Sequence, residues 1–70
     1  MKVNGNDLSI ETLKEKTINS LFETLNIEKK TVVLEINHEI IVKEDYNKVE
    51  LRDSDIIEII HFVGGGWKKH

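Results

Sequence analysis

Ile18, Leu21, Phe22 and Leu25 recur at the i, i+3, i+4, i+7 spacing that lines one side of an α-helix. A helix this short cannot bury its own apolar stripe, so a sheet must cover it. Thr17 is the predicted N-cap, with its hydroxyl meeting an orphan amide of the first turn. Asn26 is the predicted left-handed stop, and Ile27 is expected to fold back on the last turn. Leu13, just before the helix, is expected to plug one edge of the helix–sheet interface.

The segments on both sides of the helix supply that sheet. Residues 1–4 and 7–11 alternate apolar and polar, with Leu8 and Ile10 expected on one face. Gly5 and Asn6 between them tolerate positive φ and predict a tight hairpin turn. After the helix, Val32, Leu34 and Ile36 alternate with Val33, Glu35 and Asn37. Asn37 and His38 predict a turn into a short strand over 40–42. Residues 43–48 are polar and predict one irregular helical turn, followed by core anchors at Val49 and Leu51. Asp53, Ser54 and Asp55 predict a turn into a last strand over 56–63. The order is strand, strand, helix, strand, short strand, strand. This predicts an α+β chain with the β-grasp (ubiquitin-like) layout, a mixed sheet with one helix packed across one face. Residues 1–63 are expected to form the β-grasp domain, and residues 64–70 a flexible glycine-rich tail.

Bulk properties narrow the function. The chain has 70 residues and no cysteine, and its formal net charge is -3. A domain of this size buries only about 60% of the surface its unfolded chain exposes. That leaves little room for a catalytic cleft beside a core, so a binding module or carrier is expected and an enzyme is not. Without cysteine there is no disulfide framework and no thiolate nucleophile, in keeping with a reducing cytoplasm. Acidic and basic residues are interspersed, so nothing resembles a basic nucleic-acid stripe. No apolar run is long enough to span a bilayer, and the first residues lack a signal-peptide core.

The last strand carries the most functional information. Side chains alternate between faces of a strand. Ile57 and Ile59 are expected to face the helix, and Ile56, Glu58, Ile60 and Phe62 to face away. Val33 shares that outer face. Several large apolar side chains facing solvent mark a partner surface, with Phe62, Ile60 and Val33 as the candidate docking residues.

Gly64, Gly65 and Gly66 follow directly. Without Cβ atoms they can enter a channel that admits backbone alone. A glycine carboxylate at the end of such a run is an unhindered acyl group. Its attack on a nucleotide α-phosphate would give an acyl-adenylate that sulfur or an amine could displace. The chain supplies only the carboxylate, so ATP and the acid–base groups belong to a partner and no cofactor of its own is expected.

Several stretches together resemble the ThiS family of sulfur carrier proteins of thiamine biosynthesis. Thr17 and Ile18 resemble the family's Thr-Val helix opening. Residues 36–41 (Ile36, Asn37, His38, Glu39, Ile40, Ile41) resemble its Val-Asn-Gly-Glu-Ile-Val segment. Residues 53–66 resemble its Asp-Gly-Asp turn, final strand and diglycine-type end. The resemblance spans residues 1–66. It implies that an E1-like adenylating enzyme uses ATP to activate Gly66, that a sulfur donor system converts it to a thiocarboxylate, and that thiazole synthase receives the sulfur. Gly66 would be the attachment point, Gly64 and Gly65 would thread the partner's active site, and Phe62 with the outer face would dock. The molybdopterin synthase small subunit or another sulfur carrier shares the fold and the glycine end, but the former is typically longer. A ubiquitin-like modifier or an adaptor using the sheet face is the alternative from another class.

The chain departs from the family at His38 and Ser54, which replace common turn glycines, and at Trp67, Lys68, Lys69 and His70, which follow Gly66. Those four residues tie the Gly66 carboxyl into a peptide bond, so their removal is expected before activation. The remaining candidates point to no chemistry. His38, His61 and His70 lack the paired spacing of a structural metal site, and no metal is expected. Asp53 and Asp55 are expected to be solvated turn carboxylates. No serine or threonine falls in a triad arrangement, so no catalytic residue is expected.

Overall fold

A computed structural model describes residues 1–61. Its elements in chain order are β1 (Lys2–Val3), β2 (Asn6–Asp7), α1 (Ile18–Leu25), β3 (Val32–Ile36), β4 (Glu39–Ile41) and β5 (Ile56–His61), with single 3₁₀ turns at Ile10–Thr12, Lys29–Thr31 and Lys43–Asp45. The sheet order is β2-β1-β5-β3-β4. β5 lies at its centre, parallel to β1 and antiparallel to β3. This is the expected β-grasp, a mixed sheet crossed on one face by one helix. The predicted extension of the last strand through Phe62 and Val63, and the tail 64–70, lie outside the described residues.

The first hairpin forms one residue earlier than the sequence predicts. Lys2 pairs with Asp7 and Val3 with Asn6, so the turn residues are Asn4 and Gly5, at φ 52° and 86°. Two consecutive positive φ values give the turn whose twist matches that of paired strands. Asn4 wins over Asn6 because its carboxamide has work in the sheet. Its Oδ1 accepts from the Ile59 amide at 2.8 Å and its Nδ2 donates to the Ile59 carbonyl at 3.2 Å. The side chain thus extends the parallel ladder past the end of β1. The alternation predicted over 7–11 stops at Asp7. Leu8 and Ile10 are half-buried against the core, and Ile10 begins a 3₁₀ turn rather than continuing a strand.

The helix is as predicted. The Ser20 amide donates to the Thr17 hydroxyl at 3.2 Å. Asn26 is left-handed at φ 58°, and the Ile27 amide reaches back to the Phe22 carbonyl at 2.9 Å. Ile18, Leu21 and Phe22 are buried, Leu25 is half-buried, and Leu13 is buried at the interface edge. From the sheet, Val3, Val32, Leu34, Ile36, Ile57 and Ile59 close the same core.

The second hairpin turns at Asn37 and His38, as predicted, with φ 53° and 72°. β4 begins at Glu39, one residue before the expected start, because a two-residue loop sets Glu39 opposite Ile36. The polar segment 43–48 holds a residue that its composition hides. Tyr46 is only 2% exposed, and its ring meets Phe22 edge-on, centroids 5.5 Å apart and planes at 83°. Leu51 is buried and Val49 half-buried, as expected.

Asp55 corrects the expectation of two solvated carboxylates. It is buried. Its Oδ2 accepts from the Arg52 amide at 2.9 Å and its Oδ1 from Asn37 Nδ2 at 3.1 Å. Asn37 Oδ1 in turn accepts from the Ile56 amide at 3.0 Å. The Asn37 side chain therefore clamps the start of β5 much as Asn4 clamps its middle.

Candidate functional site: the outer face of the sheet

The helix covers one face of the sheet and leaves the other to solvent. Strand parity decides the split. In β5, Ile57 and Ile59 are buried whereas Ile56, Glu58 and Ile60 are exposed. In β3, Val32, Leu34 and Ile36 are buried whereas Val33 and Glu35 are half-buried on the other side. The register stacks the outward residues in rows. Val33 lies opposite Ile60, and Glu35 lies opposite both Glu58 and Ile40. Ile56 neighbours Lys2 across the parallel ladder, and Lys2 Nζ pairs with Asp7 at 3.0 Å.

Two candidate docking residues, Val33 and Ile60, are thus brought together as expected. Ile60 is 49% exposed, far more than an isoleucine in a core. Phe62, and Gly64, Gly65 and Gly66 beyond it, lie outside the described residues. Ile40, 63% exposed, and Val42, 53% exposed, join the apolar surface and were missed from the sequence. The signal existed: a two-residue turn at Asn37 and His38 places Ile40 opposite Glu35, so Ile40 must share its outward parity.

The centre of this face is charged. Glu35 and Glu58 are a directly opposed cross-strand pair of like sign, an arrangement that destabilises a sheet when nothing offsets it. The ion pairs among the described residues, Met1 amine–Asp53, Lys2–Asp7 and Lys48–Asp45, involve neither. His38, on the adjoining turn, brings its imidazole to the same point: its nitrogen and the two carboxylates lie within 4.8 Å of one another. His61 pairs with Val32 at the end of β5 and has no part in this group.

Elsewhere the titratable groups serve the fold. Asp53 is held below the usual carboxylate range, first by the hydrogen bond it accepts from the Ile10 amide, then by the N-terminal amine and Lys16. Burial pushes the Tyr46 phenol up. No helix among the described residues is long and apolar enough to cross a membrane.

The outer face thus sets a carboxylate pair and an imidazole among exposed apolar side chains. The ThiS family model matches residues 1–66. The chain belongs to the ThiS family. A ThiS-family relative, the sulfur carrier protein ThiS of Bacillus subtilis (strain 168), is 47% identical over 66 residues, which are 94% of this chain and 98% of that protein. The crystal structure of a thiamine biosynthesis protein (ThiS) from Geobacter metallireducens superposes with a TM-score of 0.76 at 26% identity, covering 93% of this chain and 96% of that one. A thiazole synthase from Paramagnetospirillum magneticum is 33% identical over 64 residues. That match takes in 91% of this chain but only 19% of the synthase, so a ThiS-like segment sits within a protein about five times longer. The ThiS match ends at Gly66, and Trp67–His70 fall outside it.

Proposed function

We propose that this ThiS-family chain carries sulfur for thiazole formation in thiamine biosynthesis as a thiocarboxylate on Gly66. The observation that carries the reading is the family match across residues 1–66, which ends on the third glycine after β5. In this reading the chain is the carried acyl group rather than the catalyst. An oxygen of the Gly66 carboxylate attacks the α-phosphorus of ATP on an E1-like enzyme, and pyrophosphate leaves. A sulfur nucleophile from a donor system then displaces AMP from the acyl carbon. Gly64 and Gly65 thread the enzyme's active site, where a Cβ would obstruct a narrow channel. Val33 and Ile60, with Phe62 beyond them, dock the body against the enzyme. The ATP belongs to that enzyme, and the setting is the cytoplasm.

The segment resembling this chain inside a thiazole synthase favours that enzyme as the sulfur acceptor over a molybdopterin or protein-modifier pathway. Trp67–His70 make Gly66 an internal residue, so in this reading those four residues are removed before activation. Intact-mass measurement tests the reading directly. The full chain and a form ending at Gly66 are each incubated with the activating enzyme, ATP and a sulfur donor. Exchange of one oxygen for sulfur adds about 16 Da at the activated carboxyl. The product is expected from the form ending at Gly66 and not from the untrimmed chain. No product from the trimmed form overturns the carrier reading, and product from the untrimmed chain overturns the need for trimming.

A further inference from the structure

The outer face holds a group of side chains to which the carrier reading assigns no part. Glu35 on β3 and Glu58 on β5 oppose each other in register, and His38 follows from the turn after β3. One ligand atom from each lies within 4.8 Å of the other two. We propose that Glu35, His38 and Glu58 form a binding site for a divalent transition-metal ion of the zinc type.

Three observations support it. First, the donor set is mixed. Two carboxylates alone would suit a hard cation, but an imidazole beside them shifts the preference to Zn²⁺ or Co²⁺. Three protein ligands with one position left for water is the usual open zinc arrangement. Second, the charge is unbalanced. No lysine, arginine or amine among the described residues pairs with Glu35 or Glu58, so an ion of charge +2 would cancel a repulsion that the sheet otherwise carries. Third, the support is rigid. Glu35 and Glu58 stand on the two most extensively paired strands, with five residue pairs in register. His38 is held by a turn whose other residue, Asn37, is hydrogen-bonded at both side-chain atoms to Asp55 and Ile56. Zinc ligands at bond lengths of about 2.0–2.1 Å stand roughly 3.4 Å apart in a tetrahedron. Rotation about the side-chain torsions of Glu58 and His38, both exposed, closes the remaining distance. The spacing of the histidines alone gives no hint of the site, because its ligands come from two strands and a turn that only the sheet brings together.

The test uses the full chain with Zn²⁺ in titration calorimetry and Co²⁺ in amide NMR. One ion per chain is expected, with paramagnetic broadening centred on the amides of residues 35, 38 and 58. Glu58→Gln and Glu35→Gln should each weaken binding about tenfold or more, since even outer-shell partners of a metal are worth that much. His38→Asn should do the same while keeping the turn, because asparagine accepts the left-handed conformation. The amide spectra of the metal-free variants show whether each is folded. Equal affinity in all three variants overturns the site, as does broadening centred on His61 or on the chain ends. So does the absence of any binding at about millimolar Zn²⁺, the weak end of the range for functional divalent-ion modules. Loss of partner activation in Glu35→Gln or Glu58→Gln without any metal binding to the parent chain would assign the carboxylates to a partner's cationic side chain instead, and overturn the metal.

Discussion

β3 and β5 build both faces of the sheet, yet the two faces have little in common. On the helix side, Leu34 and Ile57 are fully buried and Ile59 nearly so. One residue along each strand, Val33, Ile60 and the pair Glu35 and Glu58 face outward, and Ile60 keeps half of its surface in water. The inner face consists of aliphatic residues under the helix. The outer face sets a carboxylate pair among exposed apolar residues. Stability resides on one side, and the proposed docking surface lies on the other, divided by the two-residue period of a strand. Substitutions can therefore separate folding from partner activation cleanly.

The largest effect is expected on the inner face. Leu34→Ala should lower unfolding free energy by about 2–5 kcal/mol, measured by urea denaturation, because the cavity lies under a packed helix. A domain of this length has only about 4–10 kcal/mol in total, so the variant should lose a large share of its margin and unfold at markedly lower urea. A loss below about 1 kcal/mol would mean that the helix–sheet interface is looser than the burial of Leu34 implies.

Asp55 tests the edge between the faces. Asp55→Ala leaves the Arg52 amide and the Asn37 carboxamide each without an acceptor and should cost about 1–3 kcal/mol in the same assay. If Asp55 were only a solvated turn carboxylate, the loss would be near zero.

The outer face should behave in the opposite way. The double substitution Val33→Thr, Ile60→Thr keeps β-branched residues in the sheet and should change stability by less than about 1 kcal/mol. It should lower kcat/KM for adenylation of the form ending at Gly66 by about tenfold or more, equivalent to roughly 1.4 kcal/mol. Unchanged activation would move the docking surface off Val33 and Ile60.

The smallest effect concerns pH. The folded Asp53 carboxyl ionises more readily than it does in the unfolded chain, chiefly because it accepts from the Ile10 amide. Its contribution is complete above the unfolded value of about 3.9 and fades as pH falls through the lower folded value. Asp53→Asn should lower Tm slightly near pH 7, where that contribution is complete, and flatten this part of a Tm-against-pH profile so that variant and parent converge as pH falls below about 4. An acid limb as steep as that of the parent chain would show that other carboxylates set it.

Much of this was legible in the chain itself. The helix was readable because its stripe, N-cap and stop all act within one or two turns. The parity of β5 was readable because Ile57 and Ile59 alternate with Glu58. The first turn was misplaced by one residue because Asn4, Gly5 and Asn6 all tolerate positive φ. The tie is broken only by the bond from the Asn4 side chain to Ile59, 55 residues away. Tyr46 escaped notice because its neighbours Glu44, Asp45, Asn47 and Lys48 are polar, while its partner Phe22 belongs to a different element.

By itself, then, the sequence determined the helix with its caps, the alternation of β3 and β5 and the glycine run that follows the last strand. These depend on backbone sterics and on side chains a few residues apart. Tertiary structure alone decided what faces what: Tyr46 against Phe22, Asp55 beneath Asn37, and Glu35 opposite Glu58 with His38 beside them. Those juxtapositions depend on β5 returning to the centre of the sheet between β1 and β3. It is held there by ladder bonds to both neighbours, which bring distant residues into contact.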